Sequence, residues 1–157
     1  MKDERYILVI ADGSKEMEVA LQYACARSKK TNRKIIIATF IEPLDVLTTQ
    51  GVTEIMKNEA REEGKKKLKY ASSIVKDTTG ITPLLRMREG EIMNELKALL
   101  EEEKNINVLV LAANVDDNEK NPGPIINSLL TKELSNFRIP IMIVPGNFTK
   151  DHIALIS

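Results

Sequence analysis

The chain has 157 residues, 43% of them hydrophobic and 29% charged, a length that buries most of a single core without disulfides or a structural metal, so one domain is expected. Lysine plus arginine and aspartate plus glutamate both total 23, which excludes a whole-chain field directed at nucleic acid, acidic lipid or a basic partner. Cys25 is the only cysteine and His152 the only histidine, so neither an internal disulfide nor a Cys/His zinc cluster is expected.

The charged residues 1–5 lead into an apolar run too short for a signal sequence or a membrane span, and the expectation is a cytoplasmic protein with no membrane partner. That run, residues 6–11, ends in Asp12-Gly13-Ser14, as a parallel strand buried on both faces and closed by a turn would. Over residues 15–30, Met17, Ala20, Leu21, Ala24 and Cys25 or Ser28 recur at helical spacing, which predicts a helix with Ser14 as its N-cap. Residues 34–41 hold Ile35, Ile36, Ile37 and Ile41 and stop at Glu42-Pro43, where proline supplies no ladder hydrogen bond.

Residues 44–51 are a connection. Val52, Ile55, Met56, Ala60, Leu68, Ala71, Ile74 and Val75 then mark one face of a long helix reaching about Lys76. Gly64 sits inside it at a cost of roughly 1 kcal/mol relative to alanine. Residues 81–88 form the third expected strand, and 91–103 a helix with Ile92, Leu96, Leu99 and Leu100 inward. Residues 106–112 form the fourth strand. A polar loop over 115–124, punctuated by Asn121-Pro122-Gly123-Pro124, leads into a helix carrying Ile126, Leu129, Leu130, Leu134 and Phe137. The fifth strand covers 139–144.

This alternation predicts a doubly wound α/β fold, a five-stranded parallel sheet in a three-layer α/β/α sandwich. The domain spans 1–146. The tail, 147–157, contains Ile153, Ala154, Leu155 and Ile156, more apolar than a frayed terminus needs; an edge strand or docking on a partner chain stands beside fraying.

Ile7 to Ser14, the helix after them, and Ile37-Ala38-Thr39-Phe40-Ile41-Glu42-Pro43 resemble the opening of universal stress proteins. Arg88-Glu89-Gly90 resembles the family's glycine after strand three, and Ile139-Pro140-Ile141-Met142-Ile143-Val144 its closing strand. The order and spacing of these segments over residues 6–145 carry the resemblance. It implies a flavodoxin-like or Rossmann-like sheet of the adenine nucleotide alpha hydrolase kind, with strand order 3-2-1-4-5. Nucleotide-binding members hold ATP at the carboxyl ends of strands one and four, in agreement with the switch-point rule.

In those members strand four runs into Gly, two residues, Gly, nine residues, then Gly-Ser or Gly-Thr, glycines that let backbone amides approach the phosphates. Counted back from Pro140, the last pair falls here on Asn127-Ser128, and the earlier glycines near Asn114 and Asp117. Only Ser128 matches. Asp116 and Asp117 set carboxylates where phosphate would lie, and the prolines flanking Gly123 offer no amide hydrogens.

The resemblance therefore implies a non-enzymatic stress-response module that acts through dimerisation and partner binding without ATP or another cofactor. Its homodimer would pair through strand five along Ile141, Ile143 and Val144. The alternative is an ATP- or AMP-binding switch, with magnesium and weak or no hydrolysis, at a degenerate site of Asp12, Phe40, Asn114, Asn127 and Ser128. Asp12 reads equally as a turn residue, Phe40 as packing and Ser128 as an early helical residue. His152 has no nucleophile or acid at a recognisable spacing, and Cys25 reads as a small buried hydrophobe. Lys65, Lys66, Lys67 and Lys69 follow Glu59, Glu62 and Glu63, an ion-paired helix face rather than a nucleic-acid patch.

Overall fold

Side-chain parity in the first strand sets the layering. Strand β1 (Tyr6–Ile10) is buried throughout; Ile7 and Val9 enter one apolar cluster, while Tyr6, Leu8 and Ile10 enter the other, as a period of two requires. In the computed structural model, residues 4–43, 50–116 and 121–157 are described. Of the expected connection over 44–51, residues 44–49 lie outside them, as does Asp117, while residues 50 and 51 are helical.

After β1 come α1 (Met17–Thr31), β2 (Lys34–Ile41), α2 (Gln50–Thr79), β3 (Leu84–Glu89), α3 (Ile92–Glu102) and β4 (Ile106–Ala113). The chain continues through α4 (Pro124–Ser128), a π-helical turn over Leu129–Glu133 and a 3-10 turn over Leu134–Asn136 to β5 (Ile141–Pro145) and α5 (Lys150–Ile156). The strands form one parallel sheet in the order β3-β2-β1-β4-β5, as predicted. Buried Leu21, Ala24 and Ala71 pack on one face and Leu96, Leu99 and Leu129 on the other. Among the described residues no helix is long and apolar enough to cross a membrane.

Gly64 is buried in α2. A Cβ there would lie 3.0 Å from Met87 Sδ and 3.4 Å from Ile41 Cδ1, so the missing side chain is what lets the helix lie against β2 and β3.

Several expectations are corrected. Helix α1 begins at Met17 with Glu16 at its N-cap and no side-chain cap bond. Ser14 is not the cap: it lies two residues earlier, in a turn where its amide donates to Asp12 Oδ1 at 2.9 Å. Strand β3 starts at Leu84 rather than residue 81, since Pro83 has no amide for the ladder, and Ile81 is exposed. The first turns of α2 leave Val52 and Ile55 exposed, and the segment after α4 leaves Leu130 and Leu134 exposed. The tail is neither an edge strand nor frayed: Thr149 caps α5 by accepting from His152 N at 3.1 Å, and Ile153 is buried in a helix that packs on α1.

Candidate functional site

Strand order reverses between β1 and β4, since β2 leads away from one and β5 from the other. Open α/β sheets take ligands in the crevice outside the carboxyl ends at such a point. A cavity of about 260 Å³ opens there. Ile10, Val110, Leu111 and Ala112 form its floor, Met17 and Ala20 of α1 one wall, and Ile125 and Ile126 of α4 the other. Its polar rim consists of Asp12, Ser14, Glu16, Asn114 and Asn121.

The rim loops share one local motif. Asp12 Oδ1 accepts from Ser14 N at 2.9 Å, Asn114 Oδ1 from Asp116 N at 2.9 Å, and Asn121 Oδ1 from Gly123 N at 3.0 Å. Each is an Asx turn, in which a short side chain satisfies the amide two residues on. Asn114 N also donates to Pro122 O at 3.0 Å, drawing the two ends of the loop after β4 together.

The base of Glu16 is crowded from the opposite side. A Cβ on Gly146 would fall 2.3 Å from Ala113 O and 2.8 Å from Glu16 Cβ, so the turn after β5 presses on both the end of β4 and the entry to α1. Gly146 N donates to Ala113 O at 2.8 Å. Only a residue without a side chain permits that approach.

Among the described residues the charge of the cleft is one-sided. Asp12 and Glu16 line it, and no lysine, arginine or histidine occurs among its described lining residues. Two of the described cations lie beside the cleft: Lys15 lines two adjoining depressions, and the Lys67 chain covers Gly13 from the α2 side. No group of His, Cys, Asp and Glu suited to hold a metal ion occurs among the described residues.

Of the sequence-predicted site residues, Asp12 and Asn114 come together on the rim, while Phe40, Asn127 and Ser128 are not part of the lining. Phe40 packs against the core on the α3 side and pairs in register with Arg88. Asn127 is exposed on α4, where its amide donates to Gly123 O at 2.9 Å and its carbonyl accepts from Thr131 Oγ1 at 2.7 Å. Ser128 is half-buried on the same helix. Glu16 and Asn121 were missed; the Asx-turn pattern of Asp12-Gly13-Ser14 also marks Asn121-Pro122-Gly123, while no local signal marks Glu16.

Elsewhere, burial pushes the Cys25 thiol up to about 11, so it is a packed hydrophobe rather than a nucleophile. His152 meets Phe148 edge-on, with ring centroids 4.6 Å apart.

The chain matches the family model described as Universal stress protein family over residues 5–145. Nothing among curated protein sequences matches it. Among solved structures it is similar to universal stress protein UspA from Lactobacillus plantarum, at 12% identity and a TM-score of 0.72, covering 92% of this chain and 99% of that one. It is similar to a universal stress protein in complex with cAMP, at 20% identity and a TM-score of 0.64, covering 93% and 100%. A third similar structure is the universal stress protein from Archaeoglobus fulgidus in complex with dAMP, at 14% identity and a TM-score of 0.61, covering 91% and 99%.

Proposed function

The chain belongs to the universal stress protein family, and from that premise we propose that it is a non-enzymatic module acting through self-association and protein contacts, with no ATP in its cleft. One observation carries the reading: the rim amides of Ser14, Asp116 and Gly123 already donate to Asp12, Asn114 and Asn121. Phosphate groups are held by backbone amides that point at them. A nucleotide would have to displace those bonds and set its phosphates beside Asp12 and Glu16. At about 4 Å each such pair repels by about 1 kcal/mol even in bulk water, and by more in a cleft.

The sheet edges support the contact half of the proposal. Strand β5 offers Ile141, Met142 and Ile143 with no charged residue, while Val144 turns into the core. The opposite edge, β3, is flanked by Arg61–Glu89 at 2.7 Å, Arg86–Glu103 at 2.6 Å and Arg88–Glu95 at 2.9 Å. Charges on an edge oppose strand addition, and a bare edge invites it. Pairing of β5 with a second copy is therefore the contact proposed. Met142→Lys should shift the sedimentation coefficient from that of a dimer to that of a monomer; a wild type that sediments as a monomer would remove this part of the proposal.

The second reading is a nucleotide switch, favoured by the similar folds solved with cAMP and dAMP and by the place of the cleft at the switch point. Calorimetry separates the two. We expect no heat when ATP with magnesium, or AMP, is titrated into the protein to millimolar concentration. Saturable heat that disappears in Asp12→Ala would establish the switch instead.

A further inference from the structure

We infer that the switch-point cleft is a binding site for a small organic cation with a flat apolar body, the reverse of an anion site. The inference rests on the reading above, that the cleft does not hold nucleotide phosphates, and adds what it does hold.

The floor and walls are aliphatic, from Ile10, Val110 and Leu111 to Met17 and Ile126, and such surface takes up an apolar body by removing it from water. The cavity of about 260 Å³ is near the lower end of the range of roughly 300–1,000 Å³ usual for small-molecule pockets, so the body must be small. The charged groups on the described rim are the carboxylates of Asp12 and Glu16.

Both acidic residues line the cavity, and Asp12 is oriented by its bond to Ser14 N, 2.9 Å long. Among the described lining residues no lysine or arginine offsets them. An ammonium group at the mouth would meet both while its body lies on the floor. An anion of the same shape would meet repulsion, and the amides that would compensate are engaged in the Asx turns.

The test uses a matched pair, tryptamine and indole-3-acetate, which share one flat body and differ in the sign of the charge. Ligand-observed NMR and calorimetry on the full chain should give a preference for tryptamine of about tenfold or more, as expected when one partly exposed charge pair changes from attraction to repulsion. In Asp12→Asn with Glu16→Gln the preference should collapse toward one. These substitutions keep shape, and asparagine still accepts from Ser14 N, so the fold is retained; circular dichroism checks it. Failure of tryptamine to bind at millimolar concentration, equal binding of indole-3-acetate, or a preference that survives the double substitution would overturn the inference. ATP titrated in parallel keeps the two conclusions apart. Uptake of ATP overturns the functional reading itself, whereas absence of both ATP and tryptamine binding overturns only this inference.

Discussion

Gly146 and Cys25 show how much one residue's surroundings decide. Alanine at 146 would drive a methyl group into Ala113 O, at 2.3 Å, and a carbonyl at the end of a strand cannot move aside as a flexible side chain would. Gly146→Ala should lower the free energy of unfolding by about 1–3 kcal/mol, the usual cost of overpacking, as measured by urea denaturation, and should also disturb the position of Glu16. Cys25 illustrates the opposite case, a reactive group kept silent. Its thiol is fully buried and pushed up to about 11 by loss of hydration. A disulfide reagent at pH 8 should therefore leave the native protein unlabelled and label one thiol per chain after denaturation. Rapid labelling of the native protein would mean that α1 opens readily.

At the scale of elements, α2 balances two effects at Gly64. Alanine there gains about 1 kcal/mol of helix propensity but brings a methyl group to 3.0 Å from Met87 Sδ. Met87 is a partly exposed edge residue with a flexible thioether, so Gly64→Ala should stay within about 1 kcal/mol of the wild type in thermal unfolding. Gly64→Leu should be clearly destabilised, because the helix would have to leave the sheet. The strands were legible in the sequence because a parallel strand buried on both faces reads as a near-continuous apolar run, as β1, β2 and β4 do apart from Lys34, Thr39 and Asn107. Helix ends were less legible, since Ser14, whose hydroxyl made it look like a cap, lies in the Asx turn of Asp12 ahead of the helix. The tail was ambiguous because the seven-residue α5 is too short for helical periodicity to declare itself. In the cleft, Asp12 was legible as the acidic residue after strand one, and Asn114 by counting the family's glycine positions back from Pro140. Glu16 was not, because its position depends on Gly146, far away in sequence.

For the whole molecule, the ion pairs around β3 link stability to acid. The bond from Arg88 holds the Glu102 carboxyl below its ordinary value of 4.5, and the bond from Arg61 does the same for Glu89. A carboxyl depressed in the folded state contributes stability that is fully present above its unfolded value and is lost as pH falls through the folded one. Denaturant midpoints should therefore decline as pH drops below about 4.5, and Arg88→Gln should flatten that decline without abolishing it, because the Arg61–Glu89 pair remains. A midpoint that is flat down to pH 3 would mean these exposed pairs contribute nothing. The same asymmetry of edges has a consequence familiar from polymer chemistry. If β5 pairs as proposed, a sheet with one shielded edge and one bare edge would be a monofunctional monomer: it would couple once and growth would terminate. With both edges bare it would be bifunctional, and coupling would run on into an open filament. The charged side chains around β3 would thus act as an end-group, and acid would not remove it, because protonating Glu89 and Glu102 leaves Arg61, Arg86 and Arg88 charged.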